Sequence, residues 1–372
     1  MDLVLLVAAL AIILLGAELF TNGIEWFGHK LNLAEGAVGS VLAAVATAMP
    51  ETLIPVIAIV VPALFGGGSP NSAEIGVGAI LGAPFMLATL AMFVTGTAII
   101  IYARNGRRGT GMAVNVRVLG RDVIFFLVAY SVAIASAFLP ADLHPVRWAV
   151  AAALVLLYAV YVRAHFTDPA EAGDASDLNQ LHLSRIVQRL PGRQLDIDVL
   201  PFEADGSAST DPAPRLRIIV TQVVAALALI ILGAQVFVGA VEHLSSAVGL
   251  DPRLLALVIA PIATELPEKF NSVIWVRSGK DTLAMGNISG AMVFQSCLPT
   301  VLGILFTEWT FKASSALAFA SAGAAFVSTI LIFGLMLRRG RLSAWSMLIG
   351  GPIYLVYVAA ALLLPAGAGP LP

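Results

Sequence analysis

The chain is short of charge. Only 12% of its 372 residues are Asp, Glu, Lys or Arg, against roughly 25% in an ordinary soluble domain, too few to cover a water-soluble globule. Cysteine is almost absent as well. Cys297 alone excludes an internal disulfide and a cage of metal-binding thiolates. Neither sign of charge dominates: 21 basic and 23 acidic residues leave a net charge of −2, so no global field invites nucleic acid. The five histidines (His29, His144, His165, His182 and His243) show no His-x-x-x-His spacing, and most are expected at the surface rather than on a metal. What remains is 59% hydrophobic, with a mean hydropathy of +0.92. That is the composition of an integral membrane protein.

The N-terminal apolar run begins at Leu3 without a basic n-region and continues past Phe20 with no small-residue cleavage pattern. It reads as a first transmembrane helix, not a cleaved signal. No lipidation box is present. Runs long enough to cross about 30 Å of hydrocarbon number ten, at about 3–27, 36–64, 75–101, 120–139, 146–164, 216–246, 253–277, 283–307, 313–337 and 343–365. An acidic, proline-containing stretch at 165–214 divides them into two five-helix halves, 1–164 and 215–372. Seventeen of the 21 Lys and Arg residues fall in connections of one parity and three in the other, while Lys269 lies inside a span. This bias predicts a cytoplasmic 165–214 linker with both termini outside. Five spans per half then force the halves into opposite orientations.

The halves also resemble each other. At an offset of 217 residues Gly16-Ala-Glu-Leu-Phe20 meets Gly233-Ala-Gln-Val-Phe237, Glu25 meets Glu242, Ala46-Thr47 meets Ala263-Thr264, and Pro50-Glu51 meets Pro267-Glu268. An inverted repeat of this kind, with interrupted helices at its centre, is the pattern of secondary transporters. Each centre places a proline and a carboxylate halfway along an apolar span. Proline frees carbonyls of the preceding turn. A carboxylate in hydrocarbon costs at least about 2.5–3.5 kcal/mol on insertion scales, so it demands a counter-ion or a proton. Carbonyl, hydroxyl and carboxylate oxygens are hard ligands suited to Ca²⁺ or Na⁺.

Ala46-Thr-Ala-Met-Pro-Glu51 and Ala263-Thr-Glu-Leu-Pro-Glu268 resemble the α-repeats of the calcium/cation antiporter superfamily, the sodium/calcium exchangers and their relatives. The repeats occupy about 16–101 and 233–307. The resemblance implies an all-α fold of ten transmembrane helices in two inverted five-helix repeats. It implies alternating access in which the first and sixth helices slide past a rigid core, and ligands from the second, third, seventh and eighth helices. Glu51 and Glu268 match the family's central glutamates, the expected metal ligands, and Thr47 and Thr264 match its motif threonines. The motif serines are replaced by Ala48 and Glu265. Gly286-Asn-Ile-Ser-Gly-Ala-Met-Val-Phe-Gln295 follows the eighth-helix motif, with Gln295 where the family has Asp or Asn. In Gly78-Ala-Ile-Leu-Gly-Ala-Pro-Phe-Met-Leu87 the third-helix ligand position is Leu87. These departures remove oxygens that sodium-coupled members are thought to use. Glu265 adds a third carboxylate able to hold a divalent ion or trade it for protons. The proton-coupled calcium exchangers carry a third-helix motif ending in glutamate, which this chain lacks.

Blander readings stand beside these. Glu265 and Lys269 are four residues apart, so the two can simply neutralise each other. Gln295 can serve as a helix–helix hydrogen bond, and Asn271 and Asn287 as packing contacts. Glu18, Glu25 and Glu242 fall on the sliding helices; Glu25 and Glu242, near helix ends, read as interfacial first and as access-path residues second. A helix at 178–190 reads as a tether on the inner leaflet. Ser289 has no partner histidine for a hydrolase, and no bond-breaking chemistry is expected. The expected function is exchange of a divalent cation, Ca²⁺ first, for H⁺ or Na⁺ at a site built from Glu51, Glu268, Thr47, Thr264, Glu265 and Gln295. The alternatives are a passive cation channel and an antiporter for another cation, such as Na⁺/H⁺. No cofactor is expected, since the ions bind as substrates. The partners are inorganic cations and the bilayer of a prokaryotic plasma membrane, with no nucleic acid; the sequence leaves the oligomeric state open.

Overall fold

The computed structural model describes residues 2–48, 51–52, 55–66, 72–140, 143–167, 180–183, 214–248, 265–312 and 315–363. Described elements of the first half are α1 (Asp2–Lys30), α2 (35–47), α3 (56–65), α4 (72–104), α5 (Val116–Ser136) and α6 (His144–Phe166). Those of the second half are α7 (Leu216–Val248), α8 (Leu266–Arg277), α9 (Asp281–Phe306), α10 (Ala316–Arg339) and α11 (Gly350–Leu363), with a single turn Ala344–Met347 before the last. The only described sheet is a two-residue ladder, Gly111–Met112 against Leu342–Ser343. The protein is an all-helical membrane protein.

Eight described helices are long and apolar enough to cross a membrane. The two remaining expected spans, 36–64 and 253–277, are the ones that carry the repeat centres. The first is interrupted: α2 ends at Thr47, Ala48 leaves helical geometry at ψ 3°, Glu51 and Thr52 are helical again, and a π-helical turn follows at Val56–Val60. Of the second, only α8 lies within the described residues. Proline explains the interruption, because it removes a backbone donor and clashes with the turn before it. A further π-helical turn, Val38–Ala43, precedes the break.

The contact between α1 and α7 carries the symmetry of the repeat. A Cβ on Gly16 would lie 2.8 Å from Ile230 Cγ1, and one on Gly233 would lie 2.8 Å from Ile13 Cγ1. Ile13 and Ile230 are themselves 217 residues apart, so the two contacts are one contact seen from each half. As α1 advances from 13 to 16, its partner on α7 retreats from 233 to 230. The equivalent helices therefore run antiparallel, as inverted halves require.

The connections sort onto two faces. On one, Arg108 pairs with Asp281 at 2.6 Å and donates to Val276 O, the two-stranded ladder joins 111–112 to 342–343, and Lys280 pairs with Glu25. These are connections of the Lys/Arg-rich parity. On the other, Phe311 N donates to Ala137 O at 2.9 Å and Phe138 stacks on Phe311. Between the faces the core is apolar, and small residues let helices touch: a Cβ on Gly290 of α9 would lie 2.0 Å from Ser40 O of α2.

Candidate cation site

Three segments bring the repeat centres together. The end of α2 supplies Thr47, and the short helical stretch beyond the break supplies Glu51. The first turn of α8 supplies Glu265 at its N-cap, then Glu268 and Lys269. Pro267 falls in that first turn, where its missing N–H is no loss. The unpaired amides and positive dipole end there favour a carboxylate at 268. The eighth-motif helix, α9, crosses both and supplies Asn287 and Gln295.

All of these side chains are buried: Thr47, Glu265, Glu268 and Asn287 at 0% exposure, Gln295 at 1% and Glu51 at 5%. Gln295 Nε2 donates to Glu51 Oε1 at 2.6 Å. Thr47 Oγ1 lies 3.0 Å from Ala43 O and 3.1 Å from Asn287 Oδ1, with one proton to give. Asn287 Nδ2 reaches the Glu268 carbonyl at 3.5 Å. One amide of α9 thus spans the two repeat centres. The Glu51 and Glu268 carboxyls act electrostatically on each other, and Glu265 acts on both.

What is unpaired defines the chemistry. Among the described residues, both oxygens of Glu268, Oε2 of Glu51, Oε1 of Glu265 and Oε1 of Gln295 are buried with no hydrogen-bond partner, as are both polar atoms of Asn271. Buried acceptors are normally satisfied, and an uncompensated charge in a low-dielectric interior is costly. Oxygen acceptors without donors are what a dehydrated cation requires.

Several expectations meet particular outcomes. Glu265 turns one oxygen to Lys269, whose Nζ lies 3.0 Å from Oε2. Among the described residues no three His, Cys, Asp or Glu side chains converge as a metal cluster. Leu87 is fully buried and opens a π-helical turn, Leu87–Ala91, with no side-chain oxygen at that position. Glu25 is held by Trp275 Nε1 at 2.7 Å and by Lys280, while Glu18 lies 3.5 Å from His182. Thr264 and the Glu242 side chain lie outside the described residues. Of the 178–190 tether, only 180–183 is described. There His182 N and Leu183 N donate to the Asn22 and Gln222 side chains of α1 and α7.

His165 is the exception to the expectation that most of the histidines lie at the surface: it is only 2% exposed. It belongs to a second buried node that sequence reading missed. Asp122 of α5 accepts from Ser40 at 2.8 Å, Ser289 at 2.6 Å and Tyr161 at 3.1 Å. His165 Nε2 lies 3.0 Å from its Oδ1, within ion-pair distance but off the hydrogen-bonding line. This node ties α2 and α9, the site's two carriers, to α5 and α6. A carboxylate one turn inside an apolar span was the available signal.

A sequence model described as "Sodium/calcium exchanger protein" matches residues 1–166 and 218–363. The chain belongs to that family. The match covers both halves and omits the polar linker between them. Among solved structures, the sodium-calcium exchanger NCX_Mj soaked with 2.5 mM Na⁺ and 0.1 mM Ca²⁺ is similar at a TM-score of 0.67 and 14% identity, over 98% of each chain. The same exchanger soaked without Na⁺ and Ca²⁺ gives a TM-score of 0.66 at 14% identity, over 96% of this chain and 98% of that one. At that identity the likeness is one of fold, and the fold is that of the sodium/calcium exchangers. An Alkalimonas amylolytica protein described as "Putative antiporter CaxA" is 37% identical over 78 residues, 21% of this chain and 24% of that one. The match therefore spans about a quarter of that relative's length.

Proposed function

We propose that this family member is a secondary active antiporter that exchanges a divalent cation, Ca²⁺ first, for H⁺ or Na⁺ by alternating access at the Glu51–Glu268 site. The observation that carries this reading is the pair of buried, repeat-related carboxylates, three of whose oxygens have no hydrogen-bond partner among the described residues. Cargo and counter-ion compete for the same oxygens, so one must leave before the other binds, and that competition is the coupling. Thr47, Thr264 and Gln295 complete the oxygen set. Glu265 contributes its second oxygen. Buried apolar side chains at Ala48 and Leu87 leave few places for several sodium ions, which favours H⁺ as the counter-ion. The protein sits in a prokaryotic plasma membrane, with the 165–214 linker cytoplasmic and both termini outside. Its work is transport, with no bond made or broken.

Calcium uptake into proteoliposomes tests this, driven in parallel by outward proton and outward sodium gradients. Uphill accumulation under one of them is the expected result, and a passive channel would not produce it. Accumulation of Ca²⁺ under neither gradient would overturn the calcium assignment.

A further inference from the structure

The repeat predicts equivalent residues at equivalent places, and at its two centres one pair of charges has no counterpart. At the 217-residue offset Glu265 stands where the first half has Ala48, and Lys269 where it has Thr52. The backbone relation is kept: Thr52 Oγ1 donates to Ala48 O at 2.6 Å, and Lys269 Nζ approaches Glu265 O at 3.4 Å. The second half has thus gained one negative and one positive side chain a single turn apart, a neutral addition. Both are buried, Glu265 at 0% and Lys269 at 4% exposure, and they meet at 3.0 Å. Neither charge would be tolerated alone in this interior. Glu268 lies within electrostatic reach of the ammonium, while the Lys269 amino group makes its hydrogen bonds to Glu265 alone among the described residues.

We propose that Lys269 is a tethered cation that permanently occupies the Glu265 side of the site, leaving the transported ions only the two charges of Glu51 and Glu268 to neutralise. The inference rests on the reading that those two glutamates hold the cargo. A fixed ammonium cannot leave with either ion. The site therefore carries two positive charges on each leg of the cycle, as one divalent cation or two monovalent ones. Exchange is electroneutral, and membrane potential does no work on it. The same argument makes Lys269 a specificity residue: it fills a place that a monovalent ion would otherwise take.

The test measures Ca²⁺ accumulation at static head in proteoliposomes, under a fixed counter-ion gradient, with the membrane potential clamped at zero and at about 100 mV of either sign. For the wild-type protein the ratio is expected to be the same at all three clamps. Movement of one net charge would instead shift it by about 50-fold per 100 mV. Lys269→Met frees Glu265, and its static head is expected to become voltage-dependent or its transport to fail. Whatever Ca²⁺ the charge-neutral double substitution Glu265→Gln with Lys269→Met still accumulates is expected to reach the same ratio at all three clamps, which separates loss of charge from loss of packing. A voltage-dependent wild-type ratio overturns the inference, as does a Lys269→Met protein that transports at a voltage-independent ratio. If the wild-type protein accumulates Ca²⁺ under no gradient, the parent reading falls and this one with it. A voltage-dependent wild type that still accumulates Ca²⁺ sinks only this one.

Discussion

At the scale of single residues, the site is decided by which buried atoms lack partners. Among the described residues, Glu51 has one oxygen on Gln295 and one without a hydrogen-bond partner, whereas neither oxygen of Glu268 has one. Glu268→Gln and Glu51→Gln should each lower transport by more than about 100-fold, beyond the 10–100-fold typical of residues that only support ligands. Proteoliposome flux checks this, and wild-type flux in either variant would remove that glutamate from the site. Gln295→Leu removes the Glu51 contact without adding charge, and should fall in the supporting range of about 10–100-fold. The two glutamates stand out in the sequence because proline, threonine and carboxylate recur at a fixed offset, and Gln295 through its resemblance to the family's eighth-helix motif. The Asn287 bridge was not, since an asparagine facing a helix in sequence says nothing of which carbonyl it will meet. The structure gives it the Thr47 hydroxyl and the Glu268 carbonyl.

At the scale of elements, α9 is held by close backbone approach and by one buried carboxylate. Gly290 sits against Ser40 O so tightly that any side chain there would overlap a backbone atom. Gly290→Ala should therefore cost upwards of about 1–3 kcal/mol, seen as a lower melting temperature in detergent. Asp122 is the other fastening. Asp122→Ala strips three hydroxyl donors of their shared acceptor and removes the carboxylate beside His165, at a cost of about 3–5 kcal/mol by analogy with broken buried ion pairs. Thermal unfolding of the purified variant checks it; a melting temperature equal to wild type would show the node to be dispensable. Most spans could be read from hydropathy alone, because a helix is the one open segment that satisfies its backbone in lipid. The interruption of the second span was also legible, through Pro50. The π-helical turns at Val38–Ala43 and Leu87–Ala91 were not. They arise where neighbouring helices press in, as Gly350 does against the Thr89 carbonyl, and no local propensity encodes that.

At the scale of the whole molecule, the two halves meet through α1 and α7 in a contact that repeats itself under exchange of the halves. Gly16→Leu and Gly233→Leu intrude on the same apolar seam from opposite sides, against Ile230 and Ile13. They should impair transport and stability to a similar degree, and strongly unequal effects on flux and melting temperature would count against a symmetric seam. The sorting of connections onto two faces agrees with the parity of Lys and Arg. Its absolute direction has a direct test, since Cys297 is buried and should stay unreactive to an impermeant maleimide. Ser207→Cys in the linker should then be labelled only from the cytoplasmic side.

The sequence by itself determined that the chain lives in a membrane, that it is built twice over, and that a proline followed by a glutamate stands at the centre of each repeat. Those properties are local, set by hydropathy, spacing and the cost of a charge in hydrocarbon, so they survive without knowledge of the fold. Only the tertiary structure decided what each buried charge faces. Glu265 and Lys269 could be read equally as ligand and bystander or as a pair, and packing closed them into a pair. Asp122 and His165, 43 residues apart, meet because α5 and α6 fold back beside one another. Partnership across helices depends on rotation and crossing point, and those are fixed by the close packing of the whole interior.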